Sequence, residues 1–282
     1  MPVKILSLLA LILLLTACSQ KAVQKTKYIR LKGSDTMNIM TLRWAESYML
    51  EHPDVSVYTE GGGSAQGFQA LIEGEADICA SSRPMLPHEV RQLAEKHQRL
   101  GIAHLVAKDA LSIYLNPSNS ITNLSIRQLK DIYTGKITNW KDVGGADHSI
   151  NVYTRSPNSG TFLYFKEHIL DNEAYTEEAI LKYSTQSIVD AILGDVYGIG
   201  YGGTAYGEKV THCRIEGIAP TISNVIHDNY QLARYLYLYT LDTPQGYIKD
   251  FIDWVLDQPG QVIVAKVGYI PLFRSESSTE PQ

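Results

Sequence analysis

The sequence lacks the motifs that mark the common nucleotide-binding and hydrolytic sites. It contains no Gly-x4-Gly-Lys-Ser/Thr loop, no Gly-x-Ser-x-Gly and no Ser-x-x-Lys. His-Glu-x-x-His is absent as well, and the eight histidines are scattered along the chain. We therefore expect no catalytic residues, no metal site and no cofactor, and a protein that is not an enzyme.

An excess of positive charge is also missing. The 282 residues carry 25 Lys and Arg against 30 Asp and Glu, a formal net charge of -5. An acidic chain is a poor general binder of nucleic acid, so we expect no nucleic-acid partner. If the protein binds an anion, it must do so at one local site, against its overall field. The length permits two domain cores, and we expect a monomer.

Long apolar runs are missing except near the N-terminus, where residues 5–15 form a run too short to span a bilayer. Lys4 precedes this run, and the sequence LTAC ends it at Cys18. The pattern is typical of a bacterial lipoprotein, so we predict a signal and lipobox in residues 1–18, lipidation of Cys18 and a polar tether in residues 19–27. The protein would then be exported and lipid-anchored to a bacterial membrane, on its periplasmic side or at the cell surface. A plain signal peptide with a chance cysteine is the alternative.

Cysteine is scarce, since only Cys79 and Cys213 follow Cys18. Cys79 lies in the apolar run ADICAS and resembles a small buried core residue. We predict two free thiols, with a disulfide, which export would permit, as the alternative.

Strand and helix patterns alternate along the chain, which predicts an α/β protein with mostly parallel strands. No composition break separates two domains, so we expect two lobes joined by extended crossing strands. The candidates are HLVAKDALSIYL, residues 104–115, and VIHDNYQLARYLYLYT, residues 225–240. We predict one lobe from residues 28–106 and 228–274, a second from residues 107–227, and a disordered tail in residues 275–282.

Three segments share a local pattern of a strand, a turn of glycine and hydroxyl residues, and a helix. They are the first loop (KGSDTMN, residues 32–38), the second loop (EGGGSAQGF, residues 60–68) and the arginine loop (RSPNSGTF, residues 155–162). Helix N-termini present unpaired N–H groups and partial positive charge, and glycine lets an anion approach the backbone. Arg155 adds one full charge whose planar fork matches two oxygens of a phosphate. If the loops converge, they would surround a tetrahedral oxyanion.

Each loop also has a purely structural interpretation. Taken singly, Ser34, Ser64 and Ser159 are typical helix N-caps. The glycines of the second loop are typical of a flexible turn, and a lone arginine is usually solvated. The anion-site hypothesis therefore depends on the three loops occurring together.

The sequence resembles the phosphate-binding proteins of bacterial high-affinity phosphate ABC transporters, the PstS family, within the type II periplasmic binding fold. GSDTM resembles the family's first loop, and GGGSAQGFQALIEGEADICASSRPM its second loop, helix and following Ala-Ser segment. LKDIYTGKITNWKDVGG is the most specific match, and RSPNSGT fits an Arg-x-x-x-Ser-Gly-Thr loop. The resemblance implies two α/β lobes with flanking helices and a crossing-strand hinge. It also implies binding of inorganic phosphate in the cleft between the lobes and delivery to the permease subunits of an ABC transporter.

The resemblance transfers a set of phosphate contacts to this chain. Arg83 is a further candidate, either beside Ser82 or as a salt-bridge partner at the cleft rim. The implied phosphate-binding residues are Ser34, Asp35, Thr36, Ser64, Ser82, Arg155, Ser159, Gly160 and Thr161.

One position departs from some members of the family, in which an aspartate near Ser82 accepts the proton of bound phosphate. Asp35 could accept that proton from the first loop instead, and the shared proton would distinguish phosphate from sulfate. A second N-cap that never touches the ligand is the alternative for Asp35. Other readings of the whole chain are a receptor for sulfate, molybdate or tungstate, and a surface adhesion or signalling lipoprotein that keeps the fold.

Overall fold

The structure is a computed structural model that describes residues 27–272. The predicted signal, the lipidation site Cys18 and the predicted tail in residues 275–282 lie outside the described residues. Within residues 27–272, no helix has the length and apolar character needed to cross a membrane.

Ten strands are found in the described part of the chain, and they share one curled sheet. The strands are β1 (Lys27–Gly33), β2 (Val55–Glu60), β3 (Ile78–Ser81), β4 (Ile102–Leu115), β5 (Asn123–Leu124), β6 (Asn151–Arg155), β7 (Ile180–Lys182), β8 (Gly198–Gly203), β9 (Thr211–Ile215) and β10 (Ala233–Thr240).

The helices of the described residues flank this sheet, and three short 3₁₀ turns accompany them at Asp35–Met37, Trp140–Val143 and Thr204–Tyr206. The α-helices are α1 (Asn38–Glu51), α2 (Ser64–Glu73), α3 (Pro87–His97), α4 (Ile126–Tyr133), α5 (Gly160–His168), α6 (Thr185–Leu193), α7 (Ile222–Ile226), α8 (Gly246–Leu256) and α9 (Gln258–Lys266).

The strands follow the order β2-β1-β3-β10-β4-β8-β6-β7, with β9 beside β4 and β5 beside β9. Pairing is parallel at both ends of this order, where β1 contacts β2 and β3, and β6 contacts β7 and β8. It is antiparallel in the centre, where β10 lies between β3 and β4 and β4 continues to β8. Parallel pairs joined by helices, separated by two long antiparallel strands, form the α/β arrangement that the alternating pattern predicts.

The two predicted crossing segments form the antiparallel pair β4 and β10. The prediction for the second segment was too long, because its strand begins at Ala233 and not at residue 225. Residues before Ala233 form α7 instead, which begins where the Thr221 hydroxyl accepts the Asn224 N–H at 3.2 Å. Asp228 then turns the chain at a φ of 55°, a backbone conformation that a strand cannot contain.

The buried hydrophobic residues form two main clusters. The first core includes Ile29, Trp44 and Phe251, and it packs helices against β1, β2 and β3. The second core includes Trp140 and Phe165, and it packs helices against the other end of the sheet. Each cluster contains a tryptophan that is 1% exposed or less, so each has a fully buried interior of its own.

The chain passes from one core to the other within β4 and β10. In β4, Ala107 belongs to the first core and Ala110 to the second. In the returning segment, Leu232 packs in the second core and Leu236 in the first. The predicted residue boundaries of the two lobes remain a prediction, and the exchange of cores identifies these strands as the connection between them.

Both cysteines of the described residues are buried and unpaired. Burial raises the pKa of Cys79 well above its ordinary value and raises that of Cys213 to about 12. The two thiols are therefore neutral core side chains, as the sequence predicts.

Candidate functional site

The three predicted loops converge in the structure, although the second ends at residue 68 and the third begins only at residue 155. The N–H of Ala65 in the second loop donates to the Asn158 carbonyl of the arginine loop at 3.1 Å. The Thr36 and Thr161 hydroxyl oxygens lie 2.8 Å apart, which joins the first loop to the arginine loop. The first and second loops belong to the side of the first core, and the arginine loop belongs to the side of the second core. The site therefore lies between the two sides of the molecule.

Arg155 ends strand β6 and turns its side chain inward, with only 1% of the residue exposed. Its Nη2 donates to Asp35 Oδ2 at 2.7 Å and to the Tyr183 carbonyl at 3.1 Å. Its Nη1 donates to Thr185 Oγ1 at 2.9 Å. Its Nε is buried and has no hydrogen-bond partner among residues 27–272. The guanidinium is thus held in one orientation and still has a donor to offer.

Burial lowers the pKa of the Arg155 guanidinium, and the nearby carboxylate of Asp35 opposes that shift. An arginine remains protonated even after such a shift, because its ordinary pKa is above about 12. The site therefore contains a full positive charge that water barely reaches. In such surroundings an anion interacts with the charge more strongly than it would at the surface.

Asp35 connects the two sides of the site through its carboxylate. Oδ2 accepts from Arg155 across the cleft, and Oδ1 accepts the Gly62 N–H of the second loop at 3.0 Å. The carboxylate does not cap its own helix, so the N-cap interpretation of this residue is not what the structure shows. Its side chain is 14% exposed, against 2% for Arg155. It therefore lies at the less buried end of the ion pair.

Three serine hydroxyls form a buried group beside these charges. Ser34 Oγ donates to Ser82 Oγ at 3.0 Å, and the Ser82 N–H donates to Ser64 Oγ at 3.2 Å. None of the three residues is more than 4% exposed. Ser64 Oγ accepts the Ser82 N–H and lies 3.5 Å from Ser82 Oγ, which is long for a hydrogen bond between hydroxyls, so its own hydrogen can turn toward a ligand.

Only one of the three predicted serine caps is a cap. Ser159 precedes α5, and its Oγ accepts the N–H groups of Thr161 at 3.2 Å and Phe162 at 3.4 Å. Ser34 precedes a 3₁₀ turn but makes no side-chain cap bond. Ser64 is the first residue of α2, after Gly63, and likewise does not cap. The Ser34 and Ser64 side chains are committed to the site and not to helix ends.

Gly160 lies against the serine group at the first position of α5. A Cβ built on Gly160 would lie 2.7 Å from Ser82 Oγ and closer still to Ser64 Oγ. Any side chain at this position would therefore occupy the centre of the site. The N–H of Gly160 has no partner within its own helix, since it belongs to the first turn.

Arg83 is the one predicted residue with a different role. Its Nη1 and Nη2 donate to the Glu89 carboxylate at 2.8 and 2.7 Å. Both side chains are about 5% exposed or less. The salt-bridge prediction for Arg83 agrees with this pair, but the pair is buried and does not lie at an exposed rim.

The site thus combines one buried guanidinium, one carboxylate, several hydroxyls and the first turns of two α-helices. A small oxyanion can use the donors that the protein leaves free, among them Arg155 Nε, and the carboxylate can accept a hydrogen bond from a protonated anion.

The comparisons with known proteins agree with this chemistry. A family model for the PBP superfamily domain matches residues 19–259. The Phosphate-binding protein PstS of Bacillus subtilis is 32% identical over 247 residues, covering 86% of this chain and 80% of the relative. The chain belongs to the PstS family of phosphate-binding proteins.

A second relative and a solved structure show the same likeness. The PstS of Pseudomonas aeruginosa is 31% identical over 264 residues, covering 85% of this chain and 81% of the relative. A structure from Clostridium perfringens, described as that of a phosphate ABC transporter substrate-binding protein with bound phosphate, has a TM-score of 0.81 and 29% identity. It covers 88% of this chain and 100% of its own. The fold class and the family predicted from the sequence are confirmed.

In this PstS-family chain, sequence reasoning missed the residues that hold Arg155 and the first loop. Thr185 begins α6 and binds the guanidinium, and Tyr183 contributes only its carbonyl. Tyr206 accepts the Ile39 N–H at 3.3 Å and donates to the Asp35 carbonyl at 2.8 Å, across the two sides of the site. The sequence YSTQ around Thr185 has the hydroxyl-rich helix start of the other loops but no glycine, so the pattern used for the prediction excluded it.

A buried ion pair between Asp109 and Arg234 was missed as well. Asp109 directly precedes the apolar run ALSIYL of one crossing strand, and Arg234 lies in the otherwise apolar run LARYLYLYT of the other. One charge of each sign in two strands predicted to meet is a signal that could have found the pair.

Proposed function

We propose that this protein binds inorganic phosphate between its two lobes and delivers it to the permease of an ABC transporter. The buried guanidinium of Arg155, surrounded by hydroxyls and helix N-termini from both sides, is the observation that carries the proposal. Membership of the PstS family supports the same ligand. The mechanism is binding and hinge closure, and no bond of the ligand is broken.

The proposed contacts divide the ligand between the two sides. From the first core's side, Ser34, Asp35, Thr36, Ser64 and Ser82 would contact phosphate. From the second core's side, the contacts would be Arg155, Ser159, Gly160 and Thr161. Charge-assisted hydrogen bonds contribute about 1.5–3 kcal/mol each. A micromolar dissociation constant needs about 8 kcal/mol, so several contacts from both sides are required.

Asp35 would read the protonation state of the ligand. A carboxylate beside a dianion is repulsive unless a proton lies between them. Monohydrogen phosphate carries that proton and sulfate does not, so Asp35 would admit the first and reject the second. In the structure the Asp35 carboxylate accepts from Arg155. When phosphate enters, the carboxylate and the ligand would lie side by side against the guanidinium.

The cellular setting follows from the N-terminal sequence. We propose export of the chain and lipidation of Cys18, with residues 19–27 as the tether to a bacterial membrane. A monomer on such a tether would present its cleft to the permease.

Calorimetric titration of the purified protein with phosphate, sulfate and molybdate tests the ligand. We expect a micromolar or lower dissociation constant for phosphate and no measurable heat with sulfate. Tighter binding of sulfate or molybdate would assign a different cargo, and no oxyanion binding at all would favour an adhesion or signalling role. Loss of high-affinity phosphate uptake in cells that lack the chain would test delivery to the permease.

The same titration on Gly160→Ala tests the location of the site. The added methyl group would contact the Ser64 and Ser82 hydroxyls, so we expect the phosphate dissociation constant to rise by about a hundredfold or more. Gly194→Ala is the matched control, because a Cβ there meets its nearest atoms at 3.6 and 3.7 Å, an ordinary contact distance. Equal phosphate affinity in the two variants would move the site elsewhere.

A further inference from the structure

Strands β4 and β10 carry a buried ion pair where they pass between the two cores. Asp109 and Arg234 are partners in the register of the two strands. Arg234 Nε and Nη2 donate to Asp109 Oδ2 at 3.0 and 2.9 Å. The two side chains are 3% and 0% exposed. Asp109 stands between Ala107, which packs in the first core, and Ala110, which packs in the second.

Arg234 also reaches the proposed phosphate site. Its Nη2 donates to Thr161 Oγ1 at 3.1 Å, and that oxygen lies 2.8 Å from Thr36 Oγ1. Thr161 belongs to the arginine loop and Thr36 to the first loop, on opposite sides of the site. Four side chains, from Asp109 through Arg234 and Thr161 to Thr36, therefore link the crossing strands to both sides of the site.

The number of hydroxyl hydrogens among these four linked side chains decides whether they can donate a hydrogen bond to a ligand. Arginine only donates, so Thr161 Oγ1 accepts a hydrogen from Arg234. The hydroxyls of Thr36 and Thr161 then have two hydrogens of their own, and one of them lies between the two oxygens. The second hydrogen has no use inside the pair, so one of the two threonines can donate it outward. An anion requires such a donor.

The ion pair is poorly arranged as a purely stabilising feature. Arg234 Nη1 is buried and has no hydrogen-bond partner within residues 27–272, and Asp109 Oδ1 has no hydrogen bond of good geometry, although the backbone N–H of Thr204 lies near this carboxylate. Burial raises the pKa of Asp109, against the effect of Arg234. A buried pair with unsatisfied atoms does not recover its desolvation cost. The buried pair of Arg83 and Glu89 differs on its carboxylate side, because Arg83 binds both oxygens of Glu89, although Arg83 Nε also has no partner within residues 27–272.

We propose that Arg234, held by Asp109, is a positioning residue that orients the Thr161 hydroxyl so that the threonine pair presents a hydrogen to bound phosphate. The inference rests on the proposed phosphate function. It gives the crossing strands a second role besides connection. Because Thr36 and Thr161 come from opposite sides, the donor is complete only when both sides are in contact.

A double-mutant cycle tests the coupling between the ion pair and Thr161. The pair is neutralised as Asp109→Asn/Arg234→Gln, which avoids a stranded buried charge. Phosphate affinity is measured by calorimetry for the unmodified protein, the neutralised pair, Thr161→Val, and the combination. We expect the neutralised pair to lose about tenfold in affinity when Thr161 is present, and less than about twofold in the Thr161→Val background.

Two controls separate positioning from folding. Thr161→Ser keeps the hydroxyl, so neutralising the pair should again cost about tenfold in that background. Melting temperatures report stability in every background, and a purely structural pair would lower them equally with no dependence on residue 161. Arg234→Lys, which can still donate to both Asp109 and Thr161, should recover part of the affinity.

The possible failures are distinguishable. Equal affinity losses in the Thr161 and Thr161→Val backgrounds would overturn the positioning role of Arg234 while leaving phosphate binding in place. A lower melting temperature with unchanged phosphate affinity would overturn it as well. Failure of the unmodified protein to bind phosphate would overturn the proposed function, and the role of Arg234 with it.

Discussion

Replacing Arg155 by methionine separates two contributions of one side chain, one to folding and one to phosphate binding. Methionine keeps an unbranched apolar chain in the buried space and removes the guanidinium. Three hydrogen bonds are lost with it, to Asp35 at 2.7 Å, Thr185 at 2.9 Å and the Tyr183 carbonyl at 3.1 Å. The three acceptors remain without their donor, and one of them is the charged carboxylate of Asp35.

The effect on folding comes mainly from the carboxylate left behind. Breaking a buried ion pair by removing one partner costs about 3–5 kcal/mol. Asp35 keeps its bond from the Gly62 N–H and is 14% exposed, so we expect the lower end, a loss of about 3 kcal/mol in the free energy of unfolding. The double variant Arg155→Met/Asp35→Asn removes the stranded charge and should recover about 1–2 kcal/mol of that loss.

The effect on phosphate binding comes from the loss of the hydrogen-bond donors of the guanidinium. Two charge-assisted hydrogen bonds to phosphate are worth about 3–6 kcal/mol together, which corresponds to roughly 10²- to 10⁴-fold in the dissociation constant. The double variant regains stability but has no guanidinium, so its phosphate affinity should remain low. Stability and affinity are thus expected to separate between the two variants.

Urea unfolding and calorimetric titration measure the two quantities. Arg127→Met is the matched control, because it makes the same chemical change at a side chain that is 91% exposed. It should leave both quantities within about 0.5 kcal/mol of the unmodified protein. Phosphate binding by the double variant within about threefold of the unmodified protein would refute the reasoning, because Arg155 would then act only as the partner of Asp35.

Two further predictions concern protons. Asp35→Asn replaces an acceptor by an amide that can donate, so we expect sulfate affinity to rise by about tenfold or more; titrations that still reject sulfate would contradict the role of Asp35. Burial lowers the pKa of His212 from its ordinary value of 6.5, so the unfolded chain binds the proton first and the stability due to the neutral ring is lost as pH falls below 6.5. Urea unfolding should therefore show a smaller loss in the free energy of unfolding between about pH 7 and pH 5 for His212→Gln than for the unmodified protein. The loss that remains in the variant is expected from His104, because burial lowers its pKa as well.

The sequence predicted those parts of the site that have a local signature. The arginine loop shows its charge, its hydroxyls and its helix start within eight residues, and the structure brings them together as expected. The loops could be expected to converge because parallel strands end at one edge of a sheet. The passage of β4 from one core to the other could also be predicted, because the sequence shows a long apolar strand there and no composition break between domains.

The missed parts depend on distance along the chain. Arg234 and Asp109 are 125 residues apart, and Tyr206 is 171 residues from the Asp35 carbonyl that it binds. Neither contact leaves a periodic or motif signal in one segment. The predicted second crossing strand was longer than the observed strand for a different reason. The apolar residues Val225 and Ile226 of α7 lie a few positions before the strand, and the turn at Asp228 separates the two elements.

The choice between a helix cap and an anion ligand is not a true alternative for a hydroxyl residue. A hydroxyl accepts through two lone pairs and donates one hydrogen, so the same oxygen can close a helix and contact a ligand. Ser159 Oγ accepts two N–H groups of α5 and keeps its own hydrogen for the site. Ser64 Oγ accepts the Ser82 N–H and also keeps a hydrogen. The same count applies to Thr161, which accepts from Arg234. Acceptance from the protein therefore fixes each oxygen in place while leaving a donor that neither folding nor capping uses, and an oxyanion is the ligand that such a set of neutral donors suits.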